Sequence, residues 1–81
     1  MEDREIMAKI GELDEEEHRL LSSGETKVGL DEAERKRLHE VHVELDQLWD
    51  LIRQRRARRH AGLDPDGAKL RSARIVENYR Q

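Results

Sequence analysis

Cysteine is absent from the 81 residues, which excludes disulfide staples, thiolate nucleophiles and cysteine-based metal sites, and leaves the redox compartment unmarked. Phenylalanine is absent as well, and Trp49 and Tyr79 are the only aromatic residues. The core inventory is therefore thin, and no aromatic side chains are interleaved among basic ones to stack on bases. No apolar run exceeds a few residues, and the N-terminal stretch carries a polar residue at nearly every turn, so neither a signal peptide nor a membrane span is expected. A cytoplasmic protein is the default. The β-branched and aromatic runs that strands want are missing too, which excludes a sheet.

What remains is charge and helix formers. Charged residues make up 43% of the chain and hydrophobic ones 35%, a balance of narrow-seamed helices rather than of a broad core. Leu, Glu, Arg, Lys and Ala dominate, all of high helix propensity. Eighty-one residues allow a single helical domain, residues 1–81, and so short a chain needs a second element or a second copy to complete its core. The net charge of −3 conceals a division. Residues 1–52 hold sixteen Asp and Glu against seven Lys and Arg, net −9, whereas residues 53–81 hold nine Lys and Arg against three Asp and Glu, net +6. Such asymmetry can set two helices in register, join two subunits or present a basic end to an anionic partner.

The hydrophobic spacing predicts two helices. Ile6, Ile10, Leu13 and Leu20 make one seam with Met7 and Leu21 beside it, on a helix over about residues 3–22. Glu17 occupies the missing seam position, where it would face Glu34, Arg37 and Leu38. Gly11 costs this helix about 1 kcal/mol relative to Ala, a cost that close approach of a neighbouring helix would explain. Gly24, after two serines, is expected to end it, with residues 23–30 as the loop. Asp31 then starts a second helix, with Glu34 three residues on completing a capping box. Leu38, Val41, Leu45, Leu48 and Ile52 repeat at three-four spacing, with Trp49 and Leu51 widening the seam. This helix runs over about residues 31–61, stopped by Gly62 and confirmed by Asp64-Pro65. An antiparallel pairing about a turn near residue 26 puts Arg53 beside Glu2 and Asp3 and leaves the rest of the arginine block overhanging. The tail, residues 62–81, supplies Ile75, Val76 and Tyr79 to cover the far end around Trp49 and Ile52, on this chain or on another subunit.

Three constellations bear on function. Arg53, Arg55, Arg56, Arg58 and Arg59, with His60, would bind phosphates if they faced outward. The acidic chain offers Glu2, Asp3, Glu5, Asp46 and Asp50 as internal partners instead, and a helix C-terminus favours cations anyway. Glu15 and His18 have the Glu-x-x-His spacing of di-iron bundles, and His39 and His42 lie on adjacent turns, but such sites need two such pairs and further glutamates on the seam. The third is Trp49 with Asp50 and Arg53 on neighbouring turns, where the guanidinium would pair and stack. No nucleophile stands with a base and no glycine-rich loop follows a strand, so no catalytic residue and no cofactor is assigned.

The residues also carry a resemblance. Asp3-Arg4-Glu5-Ile6, the stretch from Glu15 to Leu20, the long run from Glu44 to Arg59, then Asp64-Pro65 and Val76-Glu77-Asn78-Tyr79, resemble a family of small actinobacterial proteins catalogued as domain of unknown function 2630. The resemblance covers nearly the whole chain and implies no catalytic or ligand residue. In that family a proline often falls near the position of Ser72 and a glycine near that of Asn78, which implies an extended tail with a short final turn; this chain departs at both places.

The sequence therefore predicts an all-α, coiled-coil-like antiparallel helical hairpin with a C-terminal tail, packing as a dimeric bundle. The function expected is that of a non-catalytic interaction or scaffold protein with a homodimer and an unknown protein as partners and no membrane. Its interaction residues would be Trp49, Arg53, Arg55, Arg56, Arg58, Arg59 and Tyr79. The alternatives are a nucleic-acid-associated protein using the block from Arg53 to Arg59, and a metal-binding bundle using Glu15, His18, His39 and His42.

Overall fold

The computed structural model describes residues 1–26 and 28–78. Helix α1 spans Asp3–Thr26 and α2 spans Glu32–His60; after a single 3₁₀ turn, Pro65–Gly67, a short α3 spans Ala73–Asn78. No strand occurs among the described residues, and the fold is all-α. The two long helices pack antiparallel into a hairpin, and the tail returns along α2.

Both ends of α2 are set by local chemistry. The Asp31 carboxylate accepts from the Glu34 N–H at 2.8 Å while the Glu34 side chain accepts from the Asp31 N–H at 3.0 Å, satisfying two backbone donors that a helix start leaves orphaned. At the other end Gly62 takes a positive φ of 76°, and the N–H groups of Gly62 and Leu63 return to the carbonyls of Arg59 and Arg58. That pair of bonds is the Schellman ending expected from Gly62.

Ile6, Ile10 and Leu13 of α1 pack with Val41, Leu45, Leu48, Leu51 and Ile52 of α2, and Leu20 and Ala68 join at the margins. Ile6 and Val41 are fully buried. Each such side chain contributes about 1.5–3 kcal/mol of transfer free energy, which is what holds two otherwise charged helices together.

Helix α1 corrects the sequence reading. It does not stop at residue 22 but continues through Ser22, Ser23 and Gly24 to Thr26, because tertiary contacts replace the terminator. The Ser23 hydroxyl bonds the Glu34 carboxylate at 3.1 Å, and Leu30 closes over Gly24 so tightly that a Cβ there would sit 3.0 Å from its methyl group. The reversal falls instead at Gly29, whose φ is 84°. The cross-helix pairs Asp3 with Arg55, Glu17 with His42 and Ser23 with Glu34 are all disposed about Gly29 rather than about residue 26. Gly11 is also not where helices approach: a Cβ there would meet nothing within 4 Å in the chain.

The tail does fold back, on the flank of α2 away from Trp49. The Gln54 amide donates to the Lys69 carbonyl at 2.8 Å and the Gln47 amide to the Arg71 carbonyl at 3.1 Å, so two side chains of α2 dock an extended segment. Val76 is buried, whereas Ile75 turns outward and Trp49 stays uncovered. Tyr79 lies outside the described residues.

Candidate interaction surface

The arginine block divides by direction. Arg55 is buried, with 3% of its surface exposed, and its guanidinium bonds Asp3 at the start of α1 and Asp66 in the 3₁₀ turn, the latter at 2.9 Å. Arg59 reaches the same Asp3 at 2.7 Å, and Arg58 donates to the Asp64 carbonyl at 2.5 Å. Arg55 and, one turn on, Arg58 and Arg59 thus clasp the first residues of α1 and the turn after α2 to the end of α2. Hydrogen bonds from Arg59 and then Arg55 hold the Asp3 carboxyl down at about 2, and the bonds to Asp3 and then Asp66 push the Arg55 guanidinium above its ordinary value.

Arg53, expected to be the clasp residue, is exposed, as is Arg56. The longer α1 and the later turn shift the register, so the residue level with Asp3 is Arg55. Its partner Asp66 was missed by sequence reasoning. The signal was present as an Asp-Pro-Asp-Gly turn placed to return on the last turns of α2.

Along the tail flank, Asp50 is buried and accepts from Gln54 at 2.8 Å, with Arg71 at 3.6 Å. The sequence pairs Asp50 with Arg53 on the neighbouring turn; in the structure its ion-pair partner is Arg71 of the tail. Higher up the hairpin Arg37 grips Glu16 in a two-pronged contact of 2.5 and 2.7 Å, with Glu40 at 3.3 Å. The Arg37 bonds lower the Glu16 carboxyl below its usual range. Glu17 faces His42 rather than Arg37, with Nε2 to Oε2 at 2.6 Å.

The histidines do not converge. His18 is exposed on α1 beside Glu15, His39 is exposed on α2, and His42 is occupied by Glu17. Among the described residues no three His, Asp or Glu side chains gather in a metal-sized group.

The flank opposite the tail is different in kind. Glu17, His42, Leu45, Asp46 and Trp49 line a shallow groove there, with Trp49 37% exposed. Met7 and Leu21 of α1, each one position beyond the seam residues Ile6 and Leu20, are 43% and 47% exposed. On antiparallel helices, positions one beyond the seam fall on the same side, so Met7, Leu21 and Trp49 belong to one face. Arg53 and Arg56 stand at its C-terminal end. Of the residues expected to serve interaction, the structure thus places Trp49, Arg53 and Arg56 on an open surface, and commits Arg55, Arg58 and Arg59 to contacts within the chain. No helix among the described residues is long and apolar enough to cross a membrane.

Residues 2–81 match the family described as "Protein of unknown function (DUF2630)", and the chain belongs to that family. It is 44% identical over 81 residues to the uncharacterized protein Mb0922c of Mycobacterium bovis, covering 95% of this chain and 88% of the relative. The uncharacterized protein Rv0898c of Mycobacterium tuberculosis is similar to the same extent, at 44% identity over 95% of this chain and 88% of its own length. No solved structure matches the chain significantly.

Proposed function

We propose that this member of the family is a small non-catalytic interaction protein whose docking surface is the Trp49 flank of the hairpin. The observation that carries the proposal is one-sidedness. The tail docks on one flank of α2, burying Val76 and engaging Gln47, Asp50 and Gln54, while the other flank has no such segment and keeps the single tryptophan, Met7 and Leu21 at the surface. A small chain with so few large apolar groups gains most by burying them, and a half-exposed tryptophan rimmed by charge is the composition of an interface centre.

A photo-crosslinking residue placed at position 49 in the native cell is expected to give defined products. The same residue at position 9, on the tail side of α1, is expected to give none. Equal yields at both positions, or none at either, would contradict the proposal.

A nucleic-acid role draws on Arg53 and Arg56 alone, since the other three arginines of the block are engaged internally. Two cations on a chain of net charge −3 make a poor phosphate track.

A further inference from the structure

We infer that the occupant of the Trp49 flank is a second copy of this chain, packed face to face about a two-fold axis that crosses the flank level with Trp49. The inference rests on the docking proposal above and adds the partner and its register, which covers Trp49 and Met7 and leaves Leu21 beyond the end of the contact.

A two-fold contact is isologous: every residue on one side of the axis must suit the residue at the mirror position. With the axis perpendicular to the helices, α2 lies antiparallel on α2 of the second copy, and Trp49 meets Trp49. Asp46 and Arg53, one turn to either side, then come opposite each other twice. One turn further out, Arg56 comes opposite His42, which is bound to Glu17 at 2.6 Å, so each outlying guanidinium again meets a carboxylate.

Helix α1 gives a second test of the same axis, because its residues play no part in choosing it. The pairing of α1 with α2 about Gly29 puts the level of Trp49 at residue 9. Centred there, Arg4 lies opposite Asp14, and Met7 lies opposite Gly11. All four are exposed on the same flank or its outer edge. The charges are again opposite. Gly11 has no neighbour within 4 Å and no positive φ to justify it, although glycine inside a helix costs about 1 kcal/mol. A seat for the second copy's Met7 supplies the missing reason. Two helices, each with its own sequence, are thus self-complementary about one level.

Charge reversal tests the register. Single substitutions Arg53→Glu and Asp46→Arg each set like charges across the axis and are expected to weaken self-association about tenfold or more, read by sedimentation equilibrium of the full chain. The double variant R53E/D46R is expected to restore it to near the wild-type value. Positions 46 and 53 are two turns apart on one helix, roughly 10 Å, so the rescue cannot come from a new pair inside the chain. Arg53 is exposed and Asp46 half-buried at the rim of the groove, and circular dichroism checks that each variant keeps its helicity. The pair Arg4→Glu and Asp14→Arg should behave in the same way. Single variants that associate like the wild type, a double variant that stays weak, or a wild-type chain that is monomeric throughout would each overturn the inference. A monomer that instead binds generic RNA through Arg53 would do the same. Crosslinks at position 49 to a different protein would sink the second copy while leaving the docking proposal standing.

Discussion

At the scale of the single residue, Asp3 ties the start of α1 to the end of α2. Its carboxylate is shared by Arg59 and Arg55, which lower its pKa from 3.8 to about 2. A carboxyl depressed on folding contributes stability that is present above its unfolded value and lost as pH falls through the folded one. Glu16, lowered by Arg37, acts in the same direction. The thermal midpoint of the wild-type chain is therefore expected to fall between about pH 4 and pH 2, beyond the decline of ordinary carboxylates. Asp3→Asn should melt lower at neutral pH and show a shallower acid decline, measured by circular dichroism melts across that range. An unchanged pH profile in D3N would show that the clasp contributes nothing. That acidic residues at the chain start meet the arginine block was legible in the charge division of the sequence. Which arginine meets them was not, because it depends on a register that local signals misplace.

At the scale of the element, α2 was readable almost to the residue, since both its ends are fixed by short-range devices, the Asp31–Glu34 box and the Gly62 ending. Helix α1 was readable at its start and along its seam but not at its end. Ser22-Ser23-Gly24 is a stop signal that Glu34 and Leu30, both from beyond the turn, override. No window of α1 alone contains that information. Gly11 marks the same limit from the other side, as its environment within the chain is open helix surface. Gly11→Ala is therefore expected to stabilise the dilute chain by about 1 kcal/mol, raising its midpoint by about 4–8 °C in a thermal melt. A lower midpoint under those conditions would mean that α1 has a close neighbour at Gly11 that the hairpin does not supply.

At the scale of the whole molecule, the hairpin with its returning tail is 51 × 27 × 15 Å, an elongated slab with two unlike broad sides. The sequence pattern sends the tail toward Trp49 and Ile52, on this chain or on another subunit; it folds back on its own chain, but elsewhere. It lies on the opposite flank, where the Gln47 and Gln54 amides donate to the carbonyls of Arg71 and Lys69 and Asp50 pairs with the Arg71 side chain. Polar side chains on a helix flank read as solvated surface until the segment they hold is in view, so this part of the surface was illegible beforehand. One flank is thus occupied by the chain's own tail, and the second copy proposed above would occupy the other. Light scattering of the wild-type chain across micromolar to millimolar concentration measures this most directly. The molar mass is expected to rise with concentration from 9.6 kDa toward twice that value. A mass that stays at 9.6 kDa over the whole range would contradict it.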